Sequence, residues 1–150
     1  MTLRVAFESA VRAAAVSLLT DFAASAGIKL QVYRARPASL FPPTAFVDKM
    51  GERIEYPGST DWRQRTVTAE VVVVHGVFDS GEAVDQRDAF VDAFLDWATD
   101  RVHEAGASTT LGLVAVEDEP AWSPDWNPVN GNASAVYYAT RLTLEGFAGG

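Results

Sequence analysis

The sequence contains no cysteine and only two histidines among its 150 residues. Without cysteine there are no disulfides, no thiolate nucleophiles and no metal sites that depend on a cysteine ligand. His75 and His103 lack the spacing of an H-x-x-x-H or H-E-x-x-H metal motif, and we interpret both as structural or surface residues. Because G-x-S-x-G, G-x-x-x-x-G-K-[ST] and G-x-G-x-x-G are missing as well, we predict no catalytic, cofactor-binding or metal-binding residue.

Long apolar runs and an excess of basic charge are also missing. No segment approaches the roughly 18 to 20 apolar residues that span a bilayer, and we expect neither a membrane segment nor a secretion signal. Twelve Lys and Arg stand against twenty Asp and Glu, which gives a net charge of −8. This charge opposes tight binding of nucleic acid. The length suits one domain over residues 1–150.

The apolar pattern predicts two helices and a sheet. Apolar residues at steps of three or four predict helices over residues 3–25 and 79–106. Strands are predicted over residues 28–33, 44–50, 52–56, 63–77, 109–116 and 133–145. Three prolines make residues 34–43 a surface crossing, and residues 146–150 are expected to form a flexible tail. The prediction is an α+β fold of order α-β-β-β-α-β-β, in which a mixed, largely antiparallel sheet carries two amphipathic helices on one face.

The second predicted helix carries an acidic row of five aspartates at steps of three or four residues. They are Asp85, Asp88, Asp92, Asp96 and Asp100. At about 100° per residue, these side chains project opposite the apolar face of the helix. Like charges at this spacing destabilise an isolated helix, so the row does not serve helix stability. It is a solvated face, or it pairs with a basic surface on another subunit, or it lines an acidic passage that repels DNA.

Basic residues concentrate in an earlier part of the chain. Seven of the twelve lie within residues 29–65, whereas eleven of the twenty acids lie within residues 79–119. The candidate interface residues on the basic side are Arg34, Arg36, Arg63 and Arg65. Two patches of unlike charge suit a head-to-tail interface between subunits. Local pairing within one subunit is the alternative.

Two further features indicate surfaces that meet a partner. The connection over residues 120–132 contains Trp122 and Trp126, which either form a partner-binding tip or fold back over the sheet. Apolar residues are also predicted on both faces of the sheet, most clearly over residues 71–74, whereas the two helices cover one face. We therefore expect a protein partner to cover the second face.

Three segments together carry a resemblance to a known family. Residues 34–48 read Arg-x-Arg-Pro-x-x-Leu-x-Pro-Pro-Thr-Ala-Phe-Val-Asp, and residues 63–74 read Arg-x-Arg-Thr-Val-Thr-Ala-Glu followed by four valines. An Asp-rich helix with Asp85, Asp88 and Leu95 comes next. In this combination the chain resembles the tail terminator proteins of long-tailed bacteriophages, the tail-completion family with a gpU-like fold. The resemblance runs from about residue 30 to residue 102 and does not extend to the 120–132 connection.

The resemblance implies a structural virion protein without catalysis or cofactor. Such a protein forms a homo-hexameric ring that caps the finished tail tube, stops its polymerisation and presents a surface to the head connector. Its partners would be further copies of itself, the major tail tube protein and a head completion or connector protein, while DNA only passes through the bore. The expected location is the head-proximal end of the virion tail, after assembly in the host cytoplasm. In such a ring the basic residues could meet the acidic row of the adjacent subunit.

Three other functions remain open at the level of the sequence. A different head-to-tail connector or adaptor ring would bind the portal side instead of the tail tube. A small-molecule enzyme of α+β fold would have a deep pocket with convergent polar groups. A monomeric binding module would stay at 16 kDa in sedimentation.

Overall fold

The computed structural model describes residues 3–38, 40–55, 64–77, 81–101, 110–122, 126–127, 132–133 and 136–149. The helices are α1 (Leu3–Ala26) and α2 (Gly81–Arg101). The strands are β1 (Gln31–Tyr33), β2 (Thr44–Glu55), β3 (Gln64–Val77), β4 (Thr110–Trp122), β5 (Trp126–Asn127), β6 (Asn132–Ala133) and β7 (Tyr137–Gly149). The predicted α+β class and the order of its main elements are confirmed, with the short β5–β6 pair added inside the 120–132 connection.

Five strands form the main sheet in the order β1-β2-β3-β7-β4. β1 pairs with β2 in parallel, and the other three pairings are antiparallel. β3 and β7 therefore lie in the middle, each paired along nearly its whole length. This position agrees with the continuous apolar run of residues 71–74, because a central strand is covered on both faces.

Both helices pack on one side of the sheet, which we call the helix face. Alternate residues of β3 point to this face and are buried, from Val67 to Val73. Phe22 of α1 contacts α2 there, with its ring centroid 5.3 Å from that of Phe90 and 5.2 Å from that of Phe94, both in edge-to-face geometry. Burial of each such phenyl ring contributes roughly 2 kcal/mol, so these contacts are a main source of the cohesion between the helices.

The opposite side of the sheet, which we call the outer face, carries a smaller apolar cluster at one end. Its buried members are Phe46, Val72, Val74, Trp122 and Ala139, with Leu40 and Tyr137 packed against them. Leu40 belongs to the proline-rich crossing, so the chain covers this end of the outer face with its own residues. Further along β3, the outer positions are Thr66, Thr68 and Glu70. Among the described residues, the apolar part of the outer face is therefore limited to this end and covered by the chain itself, and a protein partner on this face stays a prediction.

Two predicted boundaries are also corrected. The strands predicted over residues 44–50 and 52–56 are joined in one strand, β2 (Thr44–Glu55), whose pairing with β3 shifts between Val47 and Lys49. The predicted flexible tail is strand instead, since β7 continues to Gly149, which pairs with Gln64. Within it, Gly146 is buried, and a Cβ atom there would lie 2.6 Å from Cγ2 of Val11 in α1. Glycine thus allows α1 to approach the sheet closely.

Candidate interaction surfaces

The acidic row lies on the solvent side of α2. Asp85, Asp88, Asp92 and Asp96 are all exposed. The apolar side of the same helix is buried, through Ala83, Phe90, Phe94 and Ala98. The position of Asp100 in the helix is described, but its side chain is not. The four described aspartates therefore present carboxylates to solvent, where they can meet a basic surface or repel a polyanion.

Arg87 attaches α2 to the sheet beside this row. Its Nη1 atom lies 2.5 Å from Oδ1 of Asp118 in β4, and its Nε atom lies 2.8 Å from Oδ1 of Asp88. The guanidinium carbon lies 5.1 Å from the ring centroid of Tyr138, a cation–π distance. The hydrogen bond to Asp118 raises the pKa of Arg87 further above its ordinary value. The side chain thus joins the helix to the outermost strand.

Of the four candidate basic residues, the structure describes the side chains of Arg34 and Arg36. Arg34 is exposed, and its carbonyl oxygen accepts a hydrogen bond from Nη1 of Arg12 in α1. Arg36 forms an internal pair, because its Nη2 atom lies 2.6 Å from Oδ1 of Asp48. Arg63 lies outside the described residues, and for Arg65 only the backbone in β3 is described. Local pairing, the alternative left open by the sequence, therefore applies to Arg36.

An outer-face ion cluster joins Arg36 to groups from four strands. We use this name for Arg36, Asp48, Glu70, Glu119 and Arg141. Arg141 of β7 is central: its Nε atom lies 2.5 Å from Glu119 Oε1, and its Nη1 atom lies 3.2 Å from Asp48 Oδ2 and 3.8 Å from Glu70 Oε1. The hydrogen bond with Glu119 raises the pKa of Arg141 above its ordinary value. Asp48 bridges the two arginines, and its side chain is only 6% exposed.

Sequence reasoning missed this cluster because its members are distant along the chain. The sequence offered one sign of the cluster: charged residues alternate with apolar residues along the predicted strands, and this alternation places the charged residues on the outer face. Their partners follow only from the strand order, which places β2, β3, β7 and β4 side by side. The cluster stabilises the sheet and adjoins the small apolar cluster, since the guanidinium of Arg36 lies over the rings of Phe46 and Trp122 at 5.8 and 5.5 Å.

The sequence left open whether the two tryptophans of the 120–132 connection form a partner-binding tip or fold back over the sheet. Trp122 folds back over the sheet. It ends β4, is 7% exposed, and its ring lies 5.6 Å from that of Phe46 and 6.5 Å from that of Tyr137. It is therefore a core residue and not part of a partner-binding tip. Trp126 lies in β5, and its side chain is outside the described residues.

A cavity of about 210 Å³ lies on the helix face, at the end of the sheet where β1 and β2 begin. Its lining residues are Ile28, Leu30, Pro43, Val73, His75, Gln86, Ala89 and Phe90. His75 is buried and forms a hydrogen bond between Nε2 and Thr140 Oγ1 at 2.8 Å. Burial lowers its pKa from 6.5 to about 4, so the ring is neutral at neutral pH. Apart from His75 and Gln86, the residues that line this cavity are apolar.

The two edges of the main sheet differ in length and charge. β4 is an outermost strand, and its regular pairing with β7 includes the acidic run Glu117–Asp118–Glu119. At the other edge, β1 pairs with the first residues of β2, Thr44–Phe46. The exposed basic residues at or beside that edge are Lys29, Arg34, Lys49 and Arg53. One edge is therefore acidic and the other largely basic.

Comparisons with known proteins give no family for this chain: no protein-family model matches it, and no curated protein matches it. In the ranges that the structure describes, no group of three or more His, Cys, Asp or Glu side chains is arranged to hold a metal ion. Neither of the two described helices is long and apolar enough to cross a membrane.

Proposed function

We propose that this protein is a tail terminator of a long-tailed bacteriophage. In this proposal, copies of the chain form a homo-hexameric ring on the finished tail tube, stop addition of the major tail tube protein, and provide the surface that meets a head completion or connector protein. The protein acts in the virion, at the head-proximal end of the tail, and its function is structural and not catalytic. DNA passes through the bore without being bound.

The observation that carries this proposal is that the segments with the resemblance fold into one structural unit. Residues 34–48 form the proline-rich crossing and the start of β2, and residues 64–74 belong to the adjacent β3. Asp48 of the first segment and Glu70 of the second both contact Arg141. The first two segments that carry the resemblance are therefore neighbours in the folded chain, and this supports the proposal.

The charge of α2 also supports a ring through which DNA passes. The four exposed aspartates are part of the overall net charge of −8 and are concentrated on one side of α2. A wall of this charge repels phosphates and allows DNA to move without adhering. If the row instead faces a neighbouring subunit, it offers a ready partner for basic side chains.

Tail assembly in solution tests the proposal. The purified protein is added to the polymerising cognate tail tube protein, and electron microscopy records tube length and tube ends. We expect shorter tubes, each with a closed ring at a single end, and a mean length that falls as the protein concentration rises. A ring of six copies is checked by native mass spectrometry.

The same assay separates the proposal from its rivals. Tubes of unchanged length without rings at their ends would contradict a terminator. Binding to a portal-side connector ring and not to tubes would favour an adaptor ring instead. Denatured protein at the same concentration is the control for non-specific effects on polymerisation.

A further inference from the structure

We propose that neighbouring copies of this chain join through their sheet edges, with β4 of one copy adding antiparallel to β1 of the next copy. The inference rests on the proposed function, because it names the surface by which the proposed ring is closed. It differs from the sequence-based expectation, in which the acidic row of α2 was the acidic partner.

Unpaired strand edges are the first reason. An outermost strand presents a row of backbone N–H and C=O groups that can pair with another chain. β4 is 13 residues long, and in the described residues nothing pairs with its outer side. On the other edge, β1 is the outermost strand and pairs with Thr44–Phe46 of β2. Two free edges on opposite sides of one sheet are the geometry that repeated head-to-tail contacts need.

Strand direction is the second reason. β2 is antiparallel to β3, β3 to β7, and β7 to β4, so β4 runs opposite to β2 and also opposite to β1, which is parallel to β2. When a second copy is placed beside the first in the same orientation, its β1 runs antiparallel to β4. The contact thus continues the antiparallel pattern without turning the second copy over. Repetition of one such contact produces a ring when the rotation closes.

Charge is the third reason, and it selects this pairing over a two-fold one. Glu117 pairs with Arg141 of β7, which pairs with Val72 of β3. Val72 pairs with Phe46 of β2, which pairs with Tyr33 of β1. Glu117 and Tyr33 therefore lie at the same height on the two opposite edges of the sheet. Asp118 and Glu119 already pair with Arg87 and Arg141, so the exposed Glu117 is the acid that meets β1, which is flanked by exposed Lys29 and Arg34. A two-fold contact between two β4 strands centred here would instead bring the two copies of Glu117 together, which is unfavourable.

The shape of β4 limits the contact to its middle. Its pairing with β7 is irregular between Leu113 and Ala115 and again between Glu119 and Trp122, and Pro120 has no N–H to donate. The regular stretch Ala115–Glu119 is the segment available for pairing. An exposed apolar side chain adjoins it, since Val114 of β4 is 54% exposed. Contact with the neighbouring copy would remove this apolar surface from water.

Disulfide trapping tests the inference, and the absence of cysteine makes each introduced thiol unique. Tyr33 and Glu117 both lie on the outer face, at the same level of the two edges. A Tyr33→Cys variant is mixed with a Glu117→Cys variant and oxidised, alone and in the presence of tail tubes. We expect a mixed disulfide dimer, at least tenfold above the matched mixture of Tyr33→Cys with Asp92→Cys. The double variant Y33C/E117C should give a ladder of covalent oligomers that ends at the ring.

Each other outcome has a defined meaning. Dimers of Glu117→Cys alone would indicate two-fold β4 pairing and overturn the inference. Efficient linkage through Asp92→Cys would assign the interface to the acidic row and also overturn it. Rings on tubes without any 33–117 linkage would leave the proposed function in place and reject this interface. A covalent ladder together with uncapped tubes would support the interface and reject the terminator function. Circular dichroism of each variant verifies that it is folded.

Discussion

Arg141 and Asp48 lie on different strands, separated by β3, yet Arg141 Nη1 approaches Asp48 Oδ2 to 3.2 Å across the outer face of the sheet. Because Asp48 also pairs with Arg36, this contact extends from β7 through β2 to the proline-rich crossing. The crossing in turn supplies Leu40 to the apolar cluster around Phe46 and Trp122. Ion pairs and apolar contacts therefore stabilise the same end of the outer face.

Replacing Arg141, the central arginine of the outer-face ion cluster, should lower the stability of the folded protein. In Arg141→Met, Asp48, Glu70 and Glu119 lose a shared cation, and removal of one partner from a poorly hydrated ion cluster is strongly destabilising. We expect the free energy of unfolding in urea to fall by about 2 to 3 kcal/mol. Lys29→Met, at an exposed site, is the control and should change it by less than about 0.5 kcal/mol. Equal urea midpoints for the two variants would contradict the role of the cluster.

Trp122→Ala should reduce stability as a core substitution does. The change leaves a void beside Phe46 and Tyr137, and Trp to Ala in a packed site costs about 3 to 5 kcal/mol. Urea unfolding followed by circular dichroism measures the loss. Phe41→Ala provides the contrast, since Phe41 is 71% exposed and should contribute little. If Trp122→Ala unfolded like the parent but bound a partner less well, Trp122 would be a binding residue instead.

Gly146→Ala should be destabilising because of the close approach of α1. The added methyl group would lie 2.6 Å from Val11 Cγ2, so helix and strand must separate, at a cost of about 1 to 3 kcal/mol. Gly112→Ala, where no atom lies within 4 Å of the new methyl group, should have a much smaller effect. The double variant V11A/G146A should lose less stability than the sum of its single changes, measured by thermal unfolding. Strict additivity would argue against the contact.

The protonation of His75 should make stability depend on pH. Its pKa is about 4 in the folded chain and 6.5 as the ordinary value, so between these values the unfolded chain binds more protons. The stabilising contribution is therefore complete above pH 6.5 and is lost as the pH falls toward 4. Between pH 7 and pH 5 we expect a loss of about 2 kcal/mol from this group. Urea unfolding of the parent and His75→Gln at both pH values isolates it, and equal losses in the two proteins would refute this assignment.

The predicted basic side of the subunit interface can be tested by charge reversal. Arg63→Glu together with Arg65→Glu should weaken ring assembly, since both arginines belong to the basic residues concentrated in this part of the sequence. Native mass spectrometry should show the ring replaced by smaller species. Asp21→Lys in α1 serves as a control for a change of exposed charge elsewhere. An unchanged ring mass in the double variant would reject an interface role for the two arginines.

Local sequence patterns predicted the elements but not their ends. Apolar residues at helical spacing located both helices, and the β-prone run around residues 71–74 located the central strand. The tail at residues 146–150 was assigned wrongly because glycine was interpreted as a mark of flexibility. In the structure, Val11 of α1 packs so closely against Gly146 that a larger residue would not fit there. The backbone of β7 continues to Gly149 because it pairs with the neighbouring strand β3. Such a reason involves a residue more than a hundred positions away and has no local signature.

The sequence by itself determined the α+β class, the exposed acidic side of α2 and the burial of the valines of β3, because periodicity and charge act over a few neighbouring residues. Only the tertiary structure decided that Trp122 packs on Phe46 and that Arg36 and Arg141 share Asp48. These contacts depend on the order of strands in the sheet. Strand order is set by the packing of the whole chain, since many pairings satisfy the same alternation of apolar and polar residues.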